Sequence, residues 1–192
     1  MNHLKLAAAA LALVATSAAF AARDPVATTQ DGGAPPNPVV AEHQLLAKYA
    51  GNWNAEIEMA DMQGGAPTIT KGGTTCRVAC GGLWLVTDFE GTMMGGPFSG
   101  HELIGYDATQ KKYTVTWVDS MTPTAQTGTG HFDAATKTMH TQVSGIDAAG
   151  QPSKFHGVDV WKDADHHTWS MMIAGPDGSE FPLITIRYTR RK

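Results

Sequence analysis

The sequence predicts an all-β chain: an antiparallel meander of about ten short strands closed into a barrel, preceded by one short helix. Three observations carry this. Apolar and polar residues alternate with period two from Trp53 onward. Turn signals recur at the spacing of about 8–12 residues typical of sandwiches and barrels. After the first short segment no further stretch has helical period, which argues against α/β classes. Sequential hairpins favour a meander, and closing it removes the exposed edges that an open sheet leaves.

Residues 1–21 read as an export signal. Met1 to Lys5 is a short basic start, Leu6 to Phe20 an uncharged run, and Ala19-Phe20-Ala21 a small-x-small cleavage site with Ala22 as the mature start. The run is shorter than the roughly 20 apolar residues a spanning helix needs. No Cys sits at the cleavage point and no Arg pair precedes the run, so neither a lipoprotein anchor nor twin-Arg export is indicated. The expected product is periplasmic or secreted, with no membrane anchor after cleavage. Residues 22–38, with Gly32-Gly33, Pro35-Pro36 and Pro38, read as a flexible linker. Residues 39–192 form the barrel domain.

The helix is expected over 41–50, since Ala41, Leu45 and Tyr49 share a face. Gly51 stands where a helix-ending glycine belongs, because only Gly adopts positive φ freely. In the first strand Trp53, Ala55, Ile57 and Met59 alternate with Asn54, Glu56 and Glu58. Further strands are predicted near 68–79, 83–91, 98–106, 112–119, 125–133, 137–144, 154–162, 167–174 and 180–190.

Strand parity maps the faces. Ile184, Ile186 and Tyr188 share a face with Arg190, and Trp53 shares one with Ile57. First and last strands of a closed barrel are neighbours, so Arg190 is expected over the Trp53 ring, a cation–π contact worth roughly 0.5–2 kcal/mol. Gly51, Trp53 and Arg190 are therefore the predicted barrel-closing residues. Tyr113, Val115 and Trp117 share a face with Asp119. Asp119 is either a polar anchor in a pocket or the cap of the turn it begins; Trp117 is either core or a ligand platform. His167, Trp169, Met171 and Ile173 share another face, with His167 either at the rim or directed into the lumen.

No catalytic motif stands out. Ser99-Gly100-His101 is not a nucleophile elbow, and the glycines from Gly91 to Gly100 lack the lysine of a phosphate loop. Their reading is a hairpin beside the barrel mouth, with Met93, Met94 and Phe98 as an adaptable apolar lid. His101, His131, His140 and His156 are scattered, and His140 shares a polar face with Gln142. No metal site and no cofactor are assigned. Cys76 and Cys80 are a possible disulfide in an oxidising compartment. Four residues of regular strand nevertheless span about 13 Å, where a bridge needs less than about 7 Å. The net charge of −4 argues against nucleic acid as partner.

Helix, Gly51-x-Trp53 and first strand, in that order, resemble the start of a lipocalin-like barrel. With His43-x2-Leu46-x4-Gly51-x-Trp53 stand Phe98-x-Gly100, Gly105-Tyr106-Asp107, Tyr113-x3-Trp117-x-Asp119-Ser120 and Tyr188-Thr189-Arg190. Together these motifs resemble the bacterial family called domain of unknown function 1579, over roughly residues 43–190. The resemblance implies a lipocalin-like, or calycin-like, barrel and carries no activity. It directs attention to Tyr106-Asp107 and Trp117-x-Asp119.

The functional expectation is a barrel that binds a small, partly apolar molecule in its interior. Tyr106, Trp117, Asp119, His167 and Trp169 are the candidate ligand-binding residues. Two other classes compete: a haem- or metal-binding barrel resembling nitrobindin, using His167 or His156, and a cell-envelope structural or interaction module working through the outer wall.

Overall fold

Period-two alternation becomes ten antiparallel strands among the residues that the computed structural model describes, 38–147, 149–175 and 177–192. Helix α1 (Ala41–Ala47) leads into β1 (Gly51–Met59), β2 (Thr68–Ala79), β3 (Trp84–Met93), β4 (Gly96–Asp107) and β5 (Lys112–Asp119). Strands β6 (Gln126–Asp133), β7 (Thr138–Ile146), β8 (Pro152–Trp161), β9 (His166–Ala174) and β10 (Glu180–Arg190) complete the order. Each strand pairs with its sequence neighbours, and β1 pairs with β10 from Trp53↔Arg190 to Met59↔Ile184, closing the barrel. The predicted signal peptide and nearly all of the predicted linker lie outside the described residues.

Alternation sorts the walls as the period requires. Trp53, Ala55 and Ile57 are buried inside β1, while Asn52, Asn54 and Glu56 are exposed. Outside, Arg187 of β10 bonds Glu58 at 2.7 Å and Glu56 at 3.4 Å across the closing seam. Such exposed pairs contribute about 0–1 kcal/mol, so they set register more than stability. Pro182 has no N–H for the ladder, and a register shift between Pro182 and Ile184 accommodates it.

Helix α1 covers one end of the barrel. It is shorter than the predicted 41–50. After Ala47 the bonds tighten to Tyr49 N–H to Leu46 O (3.0 Å) and Ala50 N–H to Ala47 O (3.2 Å). Gly51 is thus not the residue that ends the helix; it is the first of β1. Its φ of 127° suits glycine, and a Cβ there would lie 2.7 Å from Arg190 Nη1. The glycine makes room for the arginine.

Arg190 joins the helix to the last strand. Its guanidinium lies 3.9 Å from the centroid of the Trp53 ring. It also donates to Ala50 O (2.7 Å), Lys48 O (2.9 Å) and Ala164 O (3.1 Å). Carbonyls at and just beyond a helix C-terminus lack intrahelical donors, and a cation there also opposes the negative end of the helix dipole. Trp53 Nε1 donates to Tyr49 O (2.8 Å), and Tyr113 Oη donates to Glu42 O (3.3 Å). Three side chains from β1, β5 and β10 therefore hold α1 on the barrel end.

The two cysteines are not bridged, contrary to the disulfide the sequence allowed: Cys76 is buried and Cys80 exposed. The strand runs straight through Cys76 to Ala79, and the bend comes only at Cys80–Gly82, too late to return one sulfur to the other.

Replacing Arg190 with Ala removes the cation–π contact and three hydrogen bonds at one stroke. We expect a loss of about 2 kcal/mol in urea unfolding. Arg190→Lys should recover only part of it, because an ammonium cannot spread donors over three carbonyls while lying flat on indole. Unchanged stability of Arg190→Ala would remove this contact as the clamp of the fold.

Candidate functional site

Closure leaves an interior that the side chains do not fill. A cavity of about 480 Å³ runs from beneath α1 to the opposite end of the barrel. That volume lies within the range of about 300–1,000 Å³ typical of small-molecule sites.

The two ends differ in chemistry. Toward the end away from α1 the wall is apolar: Met59, Met93, Phe98, Trp117, Trp169 and Met171 pack around Phe89, Ile57 and Ile184. Phe98 stacks on Trp117, with centroids 6.4 Å apart and planes 19° from parallel. Trp117 has space to lie there because β4 carries Gly100 beside it; a Cβ at that position would overlap the indole. Met94, at the β3–β4 turn, is 78% exposed and also lines this end. Methionine side chains adapt to irregular shapes, so this mouth suits ligands of varied outline.

Beneath α1 the wall turns polar. Buried Asp159 of β8 and buried His167 of β9 share a hydrogen bond of 2.8 Å between Oδ1 and Nδ1. The His167 ring lies between Tyr188 (4.5 Å, 13°) and Trp161 (5.0 Å, 17°), with Tyr49 and Trp53 meeting it edge-on. Cys76 Sγ lies 3.5 Å from Thr87 Oγ1, and burial pushes its thiol up to about 11, so it stays protonated at neutral pH. Tyr49 and Tyr188 are also pushed up, first by burial and then by the Asp159 charge.

Glu102 is a residue that the sequence alone did not single out. Phe98, Gly100 and Ile104 fix the inward parity of β4, and Glu102 falls on that face, paired with Thr87 on one side and Trp117 on the other. Among the described residues its carboxylate makes no hydrogen bond and no ion pair. Burial, reinforced by Asp159, raises its pKa from 4.5 to about 7. The parity of Phe98 and Ile104 is the signal that places it inside.

The predicted site residues divide. Trp117, Asp119, His167 and Trp169 line the cavity. Asp119 also fills the turn-capping role: it accepts from Met121 N–H and Thr122 N–H, each at 2.8 Å, and from Trp117 Nε1 at 2.8 Å. Tyr106 does not line this cavity. It meets His43 and Tyr113 and opens onto a groove beside α1. His167 is enclosed inside the barrel and not at the rim. His156 lies on the outer wall, bonded to His140 (3.0 Å) and Glu180 (3.0 Å), so it is not a lumen ligand for haem or metal. The Asp159–His167 pair resembles the orienting half of a hydrolytic triad, yet among the described residues no hydroxyl or thiol hydrogen-bonds to His167.

Residues 39–190 match the family described as "Protein of unknown function (DUF1579)". No curated protein matches the sequence significantly. Among solved structures, the crystal structure of Rv2717c from M. tuberculosis superposes with a TM-score of 0.61 at 10% identity, over 80% of this chain and 99% of that one. The S-type phycobiliprotein lyase CPES from Guillardia theta superposes with a TM-score of 0.53 at 8% identity, over 80% and 94%. At such identity both show the fold alone.

The raised pKa of Glu102 has a defined sign in stability. The folded state holds this proton more tightly than the unfolded chain does, so the penalty is absent below about pH 4.5, grows as pH rises, and is complete above about 7. Glu102→Gln should therefore be more stable at pH 8 by on the order of 2 kcal/mol. It should be close to the parent at pH 4, in urea titrations run at both. A variant no more stable at pH 8 would mean that the carboxylate is not held in a low-dielectric site.

Proposed function

The chain belongs to the family described as Protein of unknown function (DUF1579), and from that premise we propose that it binds a small, partly apolar molecule inside its barrel. The single observation that carries this reading is the cavity of about 480 Å³, aromatic and methionine-rich at one end and polar at the other. A structural barrel would gain from filling such a space, since each buried methylene contributes roughly 0.8 kcal/mol. Retaining the void with a carboxylate on its wall costs stability, and that cost has a use if a ligand occupies the space. The phycobiliprotein lyase, by its name a protein that acts on phycobiliproteins, is built on a barrel of the same shape and is consistent with this reading.

We further propose that the chain acts after export, on the strength of the basic start, apolar run and Ala19-Phe20-Ala21 site. Intact mass of protein recovered from the periplasm should correspond to a chain beginning at Ala22. Recovery of only full-length protein in the cytoplasm would overturn the export reading.

Interior binding is tested with the neutral apolar fluorophore N-phenyl-1-naphthylamine. Its emission should rise on titration with the protein while Trp117 and Trp169, on the cavity wall, are quenched. Val143, 4% exposed and on the same wall, is the place to fill the space. Val143→Phe should weaken the fluorophore at least tenfold with the β-sheet circular dichroism retained. Equal binding by a folded Val143→Phe protein would put the fluorophore elsewhere, and no binding by the parent would count against the function.

A further inference from the structure

The cavity wall is rich in carboxylates, with His167 as its ionisable base. Glu102, Asp119, Asp147 and Asp159 line it, and among the described residues no lysine or arginine does. Asp159 is already partnered by His167, and Asp119 already accepts three hydrogen bonds. Glu102 has no partner among the described residues. On the same wall, Thr74 is 4% exposed beside the Tyr188 hydroxyl, which is its neighbouring donor. Buried polar groups in native proteins are almost always paired. A carboxylate on a cavity wall with no donor beside it marks a place where a cationic donor would be accommodated.

Building on the interior-binding reading, we propose that the ligand is an amphipathic amine, whose protonated nitrogen pairs with Glu102 while its apolar body lies along the methionine and aromatic wall toward the mouth. A fatty carboxylate would meet mainly other carboxylates here. A neutral apolar molecule would leave Glu102 as it is. A cation with N–H donors pairs with Glu102, and the low dielectric strengthens the pairing. Asp159, four strands away in a ten-strand ring, faces Glu102 across the lumen and adds to the negative field.

The groups around Glu102 do not oppose this. Facing it from the neighbouring elements are Cys76 of β2, Asp159 of β8, His167 of β9, Tyr188 of β10 and Tyr49 after α1. The thiol and both phenols are held neutral by burial. His167 is engaged with Asp159. Glu102 is then the anion available to a cation, and amine binding should draw the proton off it.

Decylamine, decanol and decanoate share an apolar body and differ in the head, so calorimetric titration of the whole protein with each isolates the head group. At pH 8 decylamine should bind at least tenfold tighter than decanol, with decanoate weakest. Glu102→Gln should bring decylamine to within about threefold of decanol and leave decanol unchanged. Below pH 7 the decylamine affinity should fall roughly tenfold per unit while decanol stays flat. The preference should survive 0.5 M salt, because attraction to the outer acidic surface would be screened. If decanol binds and decylamine binds no tighter, the amine inference is wrong and interior binding stands. The amine inference is equally wrong if the preference survives Glu102→Gln or vanishes in salt. If none of the three binds, both readings fall.

Discussion

Ring closure between β1 and β10, clamped by Arg190, is the constraint on which the rest of the molecule depends. Trp53 and Arg190 stand opposite each other in the closing ladder, yet nearly the whole barrel lies between them in the chain. Until the last strand is in place, β1 and β10 are both open edges and water has access to the interior. In the closed barrel Arg190 contacts three elements: the indole of β1, the carbonyls following α1 and the loop before β9. One guanidinium thus couples sheet closure to the seating of the helix. The choice of Gly51 follows from it, since any larger residue would displace the arginine.

Closure changes the physics inside. An aspartate and a histidine that would be ordinary on a surface become a buried pair whose hydrogen bond must be made, because leaving either group unpaired in a dry site costs several kcal/mol. The surrounding rings serve this end. Tyr188 and Trp161 cover the faces of His167, and Tyr49 and Trp53 meet its edges, so the imidazole is fixed in place and shielded from water. The result is a rigid polar floor beneath α1, with the unpaired carboxylate of Glu102 on the wall beside it. The same closure that satisfies Asp159 leaves Glu102 without a partner among the described residues.

Most of the fold was legible because it rests on local signals. Period-two alternation and turn residues placed all ten strands within a few residues, and the shared parity of Trp53 and Arg190 anticipated their contact. What was not legible depends on depth along the barrel axis. Parity says in or out, but not how far from an end. His167 was therefore open to a rim position, although β9 carries it beneath the helix plug. Tyr106 lies on the parity of β4 with Glu102 and Ile104, yet it ends beside α1, past the cavity floor. Glu102 was obscured for a different reason. In Gly100-His101-Glu102-Leu103 the charged residue is inside and the leucine, 40% exposed, is outside, an inversion of the usual pattern that only the parity of the whole strand reveals. Sites where sequence-level expectation fails in this way are often those where stability has been traded for function.

The axial gradient has a consequence for selectivity. The polar floor is built from strands and from rings that hold one another, whereas the mouth is built from methionines, one of them on a hairpin turn and largely exposed. A rigid floor discriminates strongly, because a head group that fails to pair leaves buried acceptors unsatisfied. A methionine mouth discriminates weakly, because flexible thioethers re-pack around different outlines at small cost. An added or missing methylene in an apolar pocket changes affinity by only about 1–3 kcal/mol. On the proposed interior-binding reading, the barrel would therefore recognise the buried head of a ligand more sharply than the tail, and so take a chemical class in preference to a single compound.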